Sequence, residues 1–152
     1  MLTDETIDHW PGVIFTDDKD PDMLSVLCGF ARLSSQVLQQ LYSQEGLSKT
    51  SKVLENTVSH LHKLVNTWKQ QVTRNERPSS SQASSKEGFI RTMIHIQFHE
   101  LMLVIHGRLT TLEPSQITNE AKLESERQFL ESACAVLDLS SAIDPMATPM
   151  SL

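Results

Sequence analysis

Residues 89–109 read FIRTMIHIQFHELMLVIHGRL and form the longest mainly apolar stretch of the chain. Apolar side chains would cover nearly the whole circumference of a helix built on this stretch, and such a helix is typically buried in the middle of a bundle. The stretch is interrupted by polar and charged residues: Arg91, His95, Gln97, His99, Glu100 and His106. These interruptions exclude an ordinary membrane span, which needs about 20 predominantly apolar residues. We therefore expect a central helix over residues 87–109.

Three further helices are predicted on either side of this one. Asp20-Pro21-Asp22 is a typical helix start, and apolar residues at helical spacing follow it as far as Gly46, which is expected to end the helix. A second helix is expected from near Ser48, and a fourth from 118 to 141. No segment alternates as a β-strand does. The sequence thus predicts an all-α fold: an antiparallel helical bundle or solenoid-like array of about four main helices.

Composition divides the chain into three parts. Residues 1–20 are predicted to be an acidic irregular arm, 21–142 the helical domain with a Ser-rich loop at 73–87, and 143–152 a tail. The formal net charge is −6 over 152 residues, and the excess of acids lies in the arm. The basic residues are spread around helices, which is typical of a solvated face and not of a nucleic-acid surface.

The two cysteines, Cys28 and Cys134, fall inside predicted helices among apolar neighbours. A free cysteine in that setting usually behaves as a small hydrophobic residue. Two cysteines are too few for a disulfide framework or for a zinc site built from cysteine, so the sequence excludes both.

Histidines on the central helix are the main candidates for chemistry. His95 and His99 are four residues apart and share a helix face, a spacing that can bind zinc, with a third ligand from His106 or His60. The alternative is a polar seam of hydrogen-bonded histidines inside the bundle. Neither a nucleophile elbow nor a glycine-rich phosphate loop is present. We therefore predict no catalytic, cofactor-binding or metal site and no enzyme activity, and we treat His95, His99 and His106 as candidate effector-binding or polar-seam positions.

Five pieces of the sequence carry a family resemblance, in order and over about residues 3–142. They are DETID (4–8), FARLSSQVLQQLYS (30–43), LHKLVNTW (61–68), IHIQFHELMLVIH (94–106) and ESACAVL (131–137). Together they resemble the later part of the fungal-specific transcription factor domain, the middle homology region of fungal zinc-cluster regulators. The central helix of that family ends in His-Arg-Pro, whereas His106 is followed here by Gly107-Arg108.

The resemblance implies the regulatory, non-DNA-contacting portion of a fungal transcription factor. Such a portion acts in the nucleus through protein partners, self-association or an effector, without a cofactor, and contacts DNA only through a zinc cluster that this sequence lacks. Half of such a body is also expected to expose an apolar face. One alternative is a standalone truncated homologue that inhibits a full-length regulator. A second alternative is a small metal enzyme built on His95 and His99. Without the resemblance, the expected location is the cytoplasm.

Overall fold

The computed structural model describes residues 23–74 and 85–143. For residues 85–87 it describes the backbone alone. The predicted acidic arm, the cap at Asp20, most of the Ser-rich loop and most of the tail lie outside the described residues. The expected loop at 73–87 is too wide, because Thr73 still belongs to one helix and residues 85–87 already belong to the next.

All the regular structure in the described residues is α-helical, so the predicted all-α class is confirmed. The helices are α1 (Met23–Leu41), α2 (Gln44–Leu47), α3 (Ser51–Thr73), α4 (Ser85–Thr110) and α5 (Asn119–Ala142). Their packing against one another gives the expected helical bundle. Among the described helices, none has an apolar stretch of the length needed to cross a membrane.

The end of the first helix differs from the prediction. Gly46 does not end it but lies inside the short helix α2, which Ser43 caps by accepting a 3.1 Å hydrogen bond from the Gly46 N–H. A Cβ at Gly46 would lie 2.6 Å from the carbonyl oxygen of Gln40. Only glycine therefore lets α2 fold back so closely against the end of α1.

Helix α4 is the hub of the bundle, since it packs against α1, α3 and α5. Contacts between His62 and His106, and between Lys69 and Phe98, show that α3 and α4 run antiparallel. The core consists of buried apolar side chains of α1, α3 and α4, together with Ile117 from the loop before α5: Val26, Val37, Leu41, Leu54, Val58, Leu61, Val65, Trp68, Val72, Ile94, Phe98, Leu101, Met102, Ile105, Leu109 and Ile117. Burial of α4 is incomplete, because Phe89 and Val104 remain exposed.

Helix α5 turns three leucines, spaced seven residues apart, away from the bundle. Its buried residues are Ser125 and Ser132, whereas Leu123, Leu130 and Leu137 are 65%, 62% and 70% exposed. Small side chains on the inner face let the α5 backbone come close to α4, and the contact between these two helices is the most extensive in the bundle. The larger leucines are thereby left on the outer face.

The cysteines are also placed differently from the prediction. Cys28 and Cys134 are free and exposed, so neither acts as a small hydrophobic residue of the core. Cys28 lies on the outer face of α1 and Cys134 on the outer face of α5. The buried positions of these helices are held by other residues.

Candidate functional site

A polar group that joins three helices is centred on His106, which is only 6% exposed. Its Nε2 atom lies 2.7 Å from Nδ1 of His62 on α3, and its Nδ1 atom lies 3.2 Å from the hydroxyl oxygen of Ser125 on α5. The two imidazole rings meet edge to face with their centroids 5.0 Å apart. One imidazole thus joins three helices through both of its ring nitrogens.

A second histidine–serine pair repeats this arrangement one heptad away. Nδ1 of His99 lies 3.4 Å from the hydroxyl oxygen of Ser132. His99 precedes His106 by seven residues on α4, and Ser132 follows Ser125 by seven residues on α5. The two pairs therefore occupy equivalent positions of an antiparallel helix pair. We call the five residues His62, His99, His106, Ser125 and Ser132 the histidine–serine seam.

Burial keeps the imidazoles of the seam neutral. Desolvation lowers the pKa of His106 to about 4, with a smaller contribution from the neighbouring His62. Desolvation likewise lowers the pKa of His62 and of His99, and the charges of Lys69 and His95 lower the pKa of His99 further. Near neutral pH each imidazole therefore has one N–H donor and one acceptor nitrogen, and a serine hydroxyl can pair with either.

An ion-pair network on α5 lies next to the seam. Arg127 donates to both carboxylate oxygens of Glu124, at 2.6 and 3.0 Å, and also to Glu131. The hydrogen bonds from Arg127 and Gln128 hold the pKa of Glu124 down to about 2. Glu124 is close enough to the seam to oppose the lowering of the pKa of His62 and of His106. These residues are exposed, so the network is a surface feature beside the seam.

Two polar contacts fasten the end of α1 to α4. The hydroxyl of Tyr42 donates to the carbonyl oxygen of Val104 at 2.6 Å, and Nε of Arg108 donates to the carbonyl oxygen of Leu41 at 3.1 Å. The carbonyl group of Leu41 is among the last of α1, and it has no N–H donor within its own helix. Arg108 thus caps a neighbouring helix.

The candidate positions from the sequence are brought together only in part. His99 and His106 both face α5 within the seam. His95 lies one turn before His99 on α4 and is half-buried, and its position is close enough to affect the pKa of His99. Within residues 23–74 and 85–143, no group of three or more His, Cys, Asp or Glu is arranged to hold a metal ion.

The seam can share protons but offers little access to a substrate. The chain of contacts from Ser125 through His106 to His62 has the order of a nucleophile, a base and an orienting group. The Ser125 side chain, however, is only 3% exposed and lies on the face of α5 that packs against α4. A reacting group would have to separate these helices before it could meet the hydroxyl oxygen.

Sequence reasoning missed His62, Ser125 and Ser132. His62 falls beside the polar side of α3, so the period of the helix does not mark it as a core position. The two serines were missed because the leucines of α5 dominate its apolar pattern, so the leucine side looks like the buried side. The matching signal was nonetheless present, since a pair of histidines seven residues apart on α4 is mirrored by a pair of serines seven residues apart on α5.

Comparisons with protein-family models, with curated proteins and with solved structures found no match for this chain.

Proposed function

We propose that this chain is a helical regulatory module that works by binding a protein partner, as the regulatory portion of a fungal transcription factor does. One observation carries the proposal: several leucines are more than half exposed on helices that otherwise pack into an ordered bundle. They are Leu24, Leu38, Leu47, Leu123, Leu130 and Leu137. Three of them, Leu123, Leu130 and Leu137, recur along one face of α5, and an exposed apolar face of a folded domain typically marks an interaction site.

The resemblance supplies the biological setting. The motifs at 61–68, 94–106 and 131–137 lie on α3, α4 and α5, and the motif at 30–43 covers the later part of α1 and the two residues after it. In this proposal the chain acts in the nucleus, and DNA is contacted by another region or another protein. A partner that prefers one packing of the helices shifts the population toward it and so changes the activity of the attached regulator.

The arrangement of the seam supports binding over catalysis. Its two serines are buried between α4 and α5, and its imidazoles are neutral and hydrogen-bonded. A polar pair repeated at one heptad fixes the register of two helices, which is the best-attested use of buried polar groups. On this proposal the seam holds the bundle in one register, and the exposed leucines of α5, Leu123, Leu130 and Leu137, meet the partner.

A reporter experiment tests the proposal. The whole chain is fused between an unrelated DNA-binding domain and an activation domain and expressed in a fungal host. We expect reporter output to change by about fivefold or more relative to a fusion with an inert helical domain of equal length, the range that a coupling of 1–3 kcal/mol produces. Equal output from the two fusions, at equal protein levels, would contradict the regulatory role.

A further inference from the structure

The outer face of α5 carries a row of exposed leucines. Leu123, Leu130 and Leu137 recur every seven residues, and all are more than 60% exposed. They form a stripe about 21 Å long at the rise of an α-helix, and the stripe drifts by about 20° around the helix per heptad. These leucines supply one of the two apolar positions per heptad through which helices interdigitate, and the position four residues on is held by Arg127, Cys134 and Ser141.

Acidic side chains line one edge of this leucine stripe. Glu124, Glu131 and Asp138 each follow a leucine directly and therefore share one side of it. Arg127 bonds to the first two of these carboxylates and offsets one of the three negative charges. The edge thus keeps a net negative charge along the full length of the stripe.

The acidic edge argues against a second copy of this chain as the occupant. In an antiparallel pairing of two α5 helices, the edge carrying Glu124, Glu131 and Asp138 would face itself. In a parallel pairing, Glu126 would face the Glu131 of the other copy. Like charges at these flanking positions disfavour pairing in either orientation.

We propose that the outer face of α5 binds an amphipathic helix of another protein, one with apolar residues at heptad spacing and lysine or arginine along its flanks. The partner's apolar side chains pack between Leu123, Leu130 and Leu137, and its basic flank pairs with Glu124, Glu131 and Asp138. Charge complementarity of this kind selects the partner more than it adds affinity. This inference rests on the proposed function and names the chemistry of the partner.

The test uses two designed peptides of three heptads each. Both carry leucine and isoleucine at the heptad positions, but one has lysine and the other glutamate at all flanking positions. Each peptide is titrated with the full chain by fluorescence anisotropy, at about 0.1 M and about 1 M salt. We expect the lysine peptide to bind at least about tenfold more tightly than the glutamate peptide at low salt, and this preference to shrink at high salt.

Matched variants assign the binding to α5. Leu130→Gln should weaken binding of the lysine peptide about tenfold. Leu38→Gln removes a leucine of similar exposure from α1 and should leave binding unchanged. The proposal is overturned if neither peptide binds, if both bind equally, or if both variants behave alike. A dimer in sedimentation that Leu130→Gln dissociates would identify a second copy as the occupant and would also overturn it.

The two proposals can fail separately. If the lysine peptide binds through Leu130 but the reporter fusion shows no effect, the surface stands and the regulatory role fails. If the reporter responds but neither peptide binds, the regulatory role stands and the partner is not a basic helix.

Discussion

Nε2 of His106 lies 2.7 Å from Nδ1 of His62, so the central helix α4 and the neighbouring α3 are joined by a hydrogen bond between two imidazoles. Such a bond needs one nitrogen that carries a proton and one that does not, and it is lost when both rings become imidazolium ions. The contact therefore ties the packing of the bundle to pH.

The first prediction concerns stability in mild acid. The pKa of His106 is about 4 in the folded chain, below the ordinary value of 6.5 that it regains on unfolding. The unfolded state thus binds more protons as the pH falls below 6.5, and the stabilisation present above that pH is lost on the way to pH 4. We expect His106 to account for a loss of about 1–2 kcal/mol in the free energy of unfolding between pH 7 and pH 5, measured by urea denaturation.

A pair of variants assigns this loss. His106→Gln keeps a hydrogen-bonding side chain without the titration, so its stability should change much less over the same pH interval. His60→Gln, on the exposed face of α3, should retain the full dependence. A pH dependence that is the same in His106→Gln and in the parent chain would refute the assignment.

The second prediction concerns the close approach of α4 and α5. Ser125→Val adds volume at a buried helix contact and leaves Nδ1 of His106 without its hydroxyl partner. We expect the free energy of unfolding to fall by about 1–3 kcal/mol. Ser140→Val makes the same change at an exposed position of α5 and should alter stability by less than about 0.5 kcal/mol. Equal effects of the two substitutions would mean that Ser125 does not lie in a packed contact.

The third prediction compares two glycines within helices. A Cβ at Gly29 would lie 2.6 Å from Nε1 of Trp68, whereas a Cβ at Gly88 would meet nothing within 4 Å. Alanine favours a helix over glycine by about 1 kcal/mol. Gly88→Ala should therefore raise the melting temperature, and Gly29→Ala should lower it, because the buried indole has to move. A higher melting temperature for Gly29→Ala would contradict the packing of α1 against α3.

The sequence predicted the four long helices well because the apolar period is strong in α1 and α3, and because the apolar run of α4 is long enough for a buried helix. It could not say which face of α5 lies inward. Periodicity locates the leucine stripe, but the choice of inner face also depends on how closely two backbones can approach, and Ser125 and Ser132 allow a closer approach than leucine does. The sequence also could not show why residue 46 is glycine. The reason is the close approach of its backbone to Gln40, which exists only once α2 packs against the end of α1.

The candidate site was predictable in outline. His99 and His106 stand out from the apolar run that surrounds them, and both lie in the seam. His62 was not predictable in the same way, because a half-buried position at the border of a helix face has no clear periodic signal. The contact between His62 and His106 can be inferred only when the antiparallel register of α3 and α4 is known.

The most direct test of the regulatory account combines the reporter fusion with a change confined to the outer face of α5. Leu123, Leu130 and Leu137 are replaced together by glutamine, and a matched fusion carries glutamine at Leu24 and Leu38 of α1. Because these leucines are exposed, both variants should keep the helical circular dichroism of the parent. We expect the α5 variant to lose the regulatory effect on reporter output and the α1 variant to keep it. An α5 variant that is folded and fully regulatory would contradict the account.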